Sequence, residues 1–246
     1  MRIDEDVYLI ASGSLGAGYT HECDCNVYAV RSGNEYVLID SGVGIDSERL
    51  ARNLKEDGIA ESSVRQLLLT HKHLDHAGGA HWFRSRFGLE VCASTQTAVA
   101  LESGDEEAIS LGAAKRAGIY AADTEFRACK VDRLIADADM WALGDAAIHA
   151  ICTPGHSEDM LSYVVHKPGR TLLFSGDTVF HGGRILLSDI YDCDVPAYCR
   201  SLRKLARVPA DAFFPGHSMW TVHGGCAHLA RATEYLDKLL LPPNLI

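Results

Sequence analysis

The 246-residue sequence has no uninterrupted apolar run approaching the roughly 20 residues that a membrane-spanning helix needs. Its first residues, Met1-Arg2-Ile3-Asp4-Glu5-Asp6, lack the basic-then-apolar layout of an export signal. It is also short of basic charge. Lys and Arg total 23 against 33 Asp and Glu, for a net charge of −10, and that sign argues against a nucleic acid or an anionic membrane as partner. The eight cysteines include no CxxC pair, so neither a zinc ribbon nor a thioredoxin-like motif is present. No linker, low-complexity tract or short-period repeat interrupts the chain. These absences leave a cytoplasmic globular chain with reduced thiols. Cys23-Asp24-Cys25, the one close pair, reads as packing and turn chemistry.

What the chain does have is a mixed α/β pattern. Short apolar runs read as buried strands: Tyr36-Val37-Leu38-Ile39, Gln66-Leu67-Leu68-Leu69, Leu161-Ser162-Tyr163-Val164-Val165, Thr171-Leu172-Leu173-Phe174 and Ala212-Phe213-Phe214. Between them, Asp46 or Ser47 can cap a helix bearing Leu50 and Leu54 that stops near Gly58. Pro196 suits the first turn of a helix bearing Leu202 and Leu205. A final helix from Gly225 would carry Leu229, Leu236 and Leu240 and stop at Pro242. The 94–129 stretch predicts helices at 95–102 and 106–117, and reads equally as a lid and as a surface connection within one domain spanning 1–246. Trp82, Phe83 and Leu239-Leu240-Leu241 read equally as core and as the interface of a homodimer.

The decisive regularity lies where the strands end. Four of them, and a further run at Ile148 to Ile151, lead into loops bearing aspartate or histidine: Asp40-Ser41-Gly42, Thr70-His71-Lys72-His73-Leu74-Asp75-His76, Thr153-Pro154-Gly155-His156, Ser175-Gly176-Asp177 and Pro215-Gly216-His217. Such strand ends line one sheet edge, where ligand sites of α/β folds collect. In an extended segment His71 and His73 point the same way, and Asp75 and His76, on the tight turn that follows, can address a second position. Imidazole and carboxylate are the donors that zinc, manganese and iron accept. Seven donors divide into two sites: His71, His73 and His156 for one, Asp75, His76 and His217 for the other, with Asp177 between them. Two bridged ions make a hydroxide available near neutral pH and polarise a substrate oxygen.

The run Thr70-His71-Lys72-His73-Leu74-Asp75-His76, followed in order by Gly155-His156, Gly176-Asp177 and Gly216-His217, resembles the metallo-β-lactamase-fold hydrolases. The resemblance implies an αββα four-layer sandwich, two divalent metal ions (zinc first, manganese or iron as alternatives), and two related halves joined within 94–129. It implies that Asp40 orients a ligand histidine through its other ring nitrogen. Asp177 stands where the best-known β-lactamases carry cysteine. Flavodiiron proteins differ in the first motif and add a flavodoxin domain, and the nucleic-acid-processing branches are more basic.

The segment Gly176-Asp177-Thr178-Val179-Phe180-His181-Gly182-Gly183-Arg184 is similar to the glyoxalase II branch of thioester hydrolases, in which a basic residue near Arg184 helps hold glutathione. Here one helix's length follows His217, and Ser218-Met219-Trp220 replaces the tyrosine usual after the last ligand. Lactonases place a tyrosine where Phe180 stands. The expectation is therefore a metal-dependent hydrolase of an ester, lactone or thioester, glyoxalase II-like or lactonase-like. A metal-bridging hydroxide attacks the carbonyl of a small-molecule substrate and Asp75 handles a proton for the leaving group. Tyr19, His21, His181, Arg184 and Tyr191 are the candidate substrate contacts, while Ser157 and Cys152 read as turn and core residues. The alternatives are a mononuclear iron persulfide dioxygenase, a phosphodiesterase of the same fold and a metal-stabilised binding module.

Overall fold

The computed structural model describes residues 1–246, which divide into two compact units, Met1–Ile135 and Ala136–Ile246. The division falls just beyond the 94–129 stretch where the resemblance puts the join.

The first unit is built on a six-stranded sheet in the order β1 (Val7–Ala11), β2 (Val27–Ser32), β3 (Glu35–Ile39), β4 (Val64–Leu68), β5 (Glu90–Ala93) and β6 (Arg133–Leu134). The first three strands form an antiparallel meander, and β3 to β6 run parallel. Parallel neighbours need crossovers, and helices supply them. Helix α1 (Ser47–Glu56) follows β3; the Asp46 side chain accepts from the Arg49 N–H at 3.2 Å, and Leu50, Ala51 and Leu54 are buried. The expected helix between Asp46 and Gly58 is thus present. Helices α2 (Leu74–Ala77) and α3 (Ala80–Phe87) join β4 to β5. The pairing of Ile39 with Leu68 sets the carboxyl ends of β3 and β4 side by side, so Asp40 and Thr70 emerge as neighbours.

The 94–129 stretch belongs wholly to this unit. Helix α4 (Thr95–Ser103), capped by Ser94, matches expectation, but α5 spans only Leu111–Arg116. The Asp105 carboxylate accepts the Glu107 N–H at 2.9 Å and Ser110 adopts φ +62°, so residues 106–110 are turns rather than the first half of a helix. Leu101, Ile109, Leu111 and Cys129 are buried in the unit's core.

The second unit holds a five-stranded sheet ordered β11 (Ala212–Pro215), β10 (Arg170–Gly176), β9 (Leu161–Lys167), β8 (Ala146–Cys152) and β7 (Met140–Leu143). Strands β7 to β10 are antiparallel, and β10 pairs in parallel with β11 across helix α6 (Val195–Leu205). Pro196 occupies the first turn of α6 as expected, and Asp194 caps it by accepting from the Ala197 N–H at 2.9 Å. Helix α7 (Cys226–Asp237) starts after Gly225 but ends well short of Pro242, because Leu239 takes φ +59°. Leu239, Leu240 and Leu241 are exposed, whereas Leu229, Ala232 and Leu236 pack with Tyr198, Leu202 and Phe213. No helix is long and apolar enough to cross a membrane.

Of the two aromatics left open by the sequence, Phe83 is fully buried and Trp82 is half-buried against it. Their ring centroids are 5.1 Å apart, and Phe87 lies 5.3 Å from Phe83. Phe83→Ala is expected to cost about 3–5 kcal/mol, the usual range for emptying such a site, seen as a lower midpoint in urea unfolding.

Candidate metal centre

Each unit assembles its own set of donor residues. In the first, Leu69 completes the buried β4 run, and the chain then turns through Thr70, His71 and Lys72, all buried. His73 serves as the N-cap residue of α2, so Asp75 and His76 stand on a short helix rather than on the tight turn expected. The main-chain N–H groups of His76 and Ala77 donate to the His73 carbonyl at 3.0 and 2.9 Å, which folds the motif back on itself. The His71 ring centroid then lies 4.5 Å from that of His73 and 4.2 Å from that of His76.

Asp40 organises this set. It occupies the left-handed region at φ +62°, a conformation that aspartate tolerates better than most residues. Its carboxylate accepts from the Thr70 N–H at 2.7 Å and the Thr70 hydroxyl at 2.9 Å, and it meets His76 Nδ1 at 2.8 Å. Thr70 Oγ1 lies 3.0 Å from His71 Nδ1. A hydroxyl that donates to Asp40 can only accept from His71, and a carboxylate can only accept from His76. Both rings therefore carry their hydrogen on Nδ1 and keep the lone pair of Nε2 for an electrophile. The Asp40 carboxylate therefore holds the His76 ring by its Nδ1 edge. The separation of His76 Nε2 from Asp75 Oδ2 is 3.4 Å.

In the second unit, Gly155 carries φ +151°, and a Cβ there would sit 2.4 Å from the Tyr198 Cα, so only glycine lets this loop pass against α6. His156, next in the chain, donates from Nδ1 to the Leu186 carbonyl at 2.9 Å, which again leaves Nε2 as the donor atom. The Gly216 N–H donates to the Gly176 carbonyl at 2.9 Å, and this pairing sets Asp177 beside His217. Tyr198, buried on α6, donates its hydroxyl to the Asp177 carbonyl at 2.5 Å and accepts from the Leu186 N–H at 3.2 Å. Asp177 Oδ2 lies 3.6 Å from His156 Nε2 and 3.4 Å from His217 Nε2, and all three side chains are buried.

These spacings fit a metal. Donor atoms on a tetrahedral ion with bonds near 2.0–2.1 Å stand ~3.3 Å apart, longer than a good N–H···O bond and close to the 3.4–3.6 Å found in both units. Neutral imidazole and carboxylate are the donors that zinc takes.

The structure adds residues that the sequence did not reveal. Thr70 stood in the motif without an assigned role, Tyr198 carries no motif signal, and Leu186 acts through its main chain. Cys25, read as packing, lies with its sulfur within 4.8 Å of the donor atoms of Asp40 and His76, and burial pushes its thiol pKa up. Asp24 braces the same loop by accepting from the Val43 N–H at 2.9 Å and the Thr20 hydroxyl at 2.6 Å. Tyr120, from the 94–129 stretch, is half-buried against the first unit's core. Its phenol pKa is pushed up first by burial and next by the negative charge of Asp75.

Among the candidate substrate contacts, Tyr19 is half-buried and its carbonyl accepts from Arg49 at 2.6 Å. His21 accepts from the Cys23 N–H at 3.2 Å. His181 is exposed with its ring 4.5 Å from that of His228, Arg184 is exposed, and Tyr191 is 66% exposed.

The family model of the metallo-beta-lactamase superfamily matches residues 21–217. This chain belongs to the metallo-beta-lactamase superfamily. It is 30% identical over 230 residues to an acyl-coenzyme A thioesterase MBLAC2 of Gallus gallus, covering 87% of this chain and 78% of that one. It is 29% identical over 194 residues to an atrochrysone carboxyl ACP thioesterase of Aspergillus fumigatus (78% of this chain) and 26% identical over 176 residues to a hydroxyacylglutathione hydrolase of Hahella chejuensis (72% of this chain). The chain spans 50% and 54% of the length of these last two relatives. A solved metallo-β-lactamase of Cronobacter sakazakii superposes with a TM-score of 0.74 at 20% identity, covering 97% of this chain and 96% of that one. The expected fold class, the αββα sandwich, is the fold of this superfamily. The expected hydrolase class and its glyoxalase II-like character agree with the names of these relatives.

Asp40→Ala removes the acceptor that fixes the His76 ring, and a change of this kind typically weakens metal binding 10–100-fold. Competition against a chromogenic chelator is expected to show that loss with the far-ultraviolet spectrum unchanged.

Proposed function

We propose that this chain is a dinuclear metal-dependent hydrolase of a small-molecule thioester, with ester and lactone carbonyls as further substrates of the same class. The observation that carries the proposal is the repeated 3.4–3.6 Å spacing of imidazole nitrogen and carboxylate oxygen in each unit's donor set. His71, His73 and His156 would hold one ion, and Asp75, His76 and His217 the other, with Asp177 shared. Zinc is the expected metal. Two of the relatives are thioesterases by name, which favours sulfur as the leaving atom.

When bound, a pair of divalent ions makes a hydroxide nucleophile available near neutral pH and polarises the substrate carbonyl. The chain's own residues do the rest. Asp40 and Thr70 hold His71 and His76 in the tautomer that presents Nε2, and the Leu186 carbonyl does so for His156. Tyr198 fixes the main chain of Asp177. Asp75, half-buried in the first turn of α2, carries a proton to the departing thiolate as the carbon–sulfur bond breaks, giving a carboxylate and a thiol. A serine nucleophile is not needed. Ser157 is fully buried, with its hydroxyl bonded to Asp159 and, at 2.8 Å, to Asp192.

Elemental analysis of the purified protein is expected to give about two zinc ions per chain. Acyl-coenzyme A and hydroxyacyl-glutathione thioesters, followed by thiol release, are expected to turn over, with activity lost to a chelator and regained on adding zinc. Asp75→Ala is expected to lower kcat by about 100-fold or more while the fold persists. A metal-free protein whose turnover ignores chelation would end this reading.

A further inference from the structure

We propose that His228 is a positioning residue whose imidazole latches the loop following Asp177 onto α7, and so sets the direction of His181 as a substrate contact. The role in substrate binding rests on the hydrolase reading above; the latch itself does not.

After β10 the chain passes Asp177, buries Val179 and Phe180, and makes a 3-10 turn over His181–Gly183. The turn closes on itself, with Phe180 N–H donating to the Arg184 carbonyl at 2.9 Å and Gly183 N–H donating to the Phe180 carbonyl at 3.0 Å. Beyond it, Ile185 is tied to the C-terminal residues through Pro243 and Leu245. The tip between these anchors carries His181, which is exposed.

His228, on α7, holds that tip. Its Nδ1 accepts the Gly182 N–H at 3.0 Å, and its Nε2 lies 3.2 Å from Thr221 Oγ1. An Nδ1 that accepts carries no hydrogen, so Nε2 carries it and donates to Thr221. The ring is flanked by Phe213 at 5.0 Å and by His181 at 4.5 Å between centroids. Burial, and then the neighbouring His181, lower the His228 pKa, which keeps the accepting form. The turn lies against the helix itself. Gly183 has φ +74°, and a Cβ there would sit 2.7 Å from the Ala232 nitrogen and 2.9 Å from the His228 carbonyl oxygen. One imidazole thus joins α7, the segment at Thr221, β11 and the loop of Asp177. Both ring nitrogens are engaged, each on a different segment of the chain.

Amide exchange measured without substrate tests the latch directly. In His228→Ala the Gly182 amide is expected to exchange about tenfold faster or more, while β10 and β11 keep their protection. Thr221→Val, which removes the outer half of the latch and leaves His228 in place, is expected to give a smaller increase. His228→Gln, which can still accept from Gly182 and donate to Thr221, is expected to restore slow exchange. With a thioester substrate, His228→Ala is expected to raise KM about tenfold with kcat within about threefold, and His228→Gln to return KM toward the parent value. Unchanged exchange at Gly182 in His228→Ala would overturn the latch. Faster exchange with KM unaltered would overturn its part in substrate binding. A parent protein inert toward every thioester would instead overturn the hydrolase reading, leaving exchange to decide the latch.

Discussion

The donor geometry depends on a hydrogen bond made on the far side of three of its rings. An imidazole can bind an electrophile through either nitrogen, and a ring that turns or changes tautomer offers the wrong one. His76 is fixed by Asp40, His71 by Thr70 and His156 by the carbonyl of Leu186, and in every case the contact is to Nδ1. The choice of nitrogen is thereby made by groups on the Nδ1 side of each of these rings. Asp40 is held in a left-handed backbone conformation to do this, a local strain of the kind that persists when surrounding structure over-determines it. Thr70 over-determines it here, since both its N–H and its hydroxyl donate to the same carboxylate.

The strand-end motifs were legible in the sequence because they obey local rules. An apolar run followed at once by glycine, aspartate or histidine states both the strand and the residue that leaves it. The cap at Asp46 was legible for the same reason, since a short polar side chain three residues ahead of an N–H is a local arrangement. Three features were not. The helix placing Asp75 and His76 is four residues long, too short to show a period. The half-helix lost at 106–110 yields to the Asp105 side chain, which offers the backbone a turn instead. The premature end of α7 comes from the backbone of Leu239, which nothing in its side chain announces.

The supporting residues escaped sequence reading for a different reason. Tyr198 stands 21 positions from the residue whose carbonyl it holds, and His228 stands 46 positions from Gly182. Leu186 contributes a main-chain oxygen, which any residue could supply, so its identity carries no signal. Cys25 looked ordinary because its importance lies in what it is buried beside. Sequence therefore exposes the groups that meet a ligand more readily than the groups that aim them.

The parallel pairing of β10 with β11 links the second unit's donor set to the cooperativity of its sheet. Asp177 follows β10 directly and His217 lies one residue beyond the end of β11, and the bond from Gly216 to Gly176 is at once the closing rung of the pair and the spacer between the two side chains. Any fraying at this edge would scatter the donors before the hydrophobic layer beneath them is disturbed. Conversely, an ion gripping both residues would act as a rivet through the sheet's terminal rung, and its occupancy would then be coupled to the integrity of this edge.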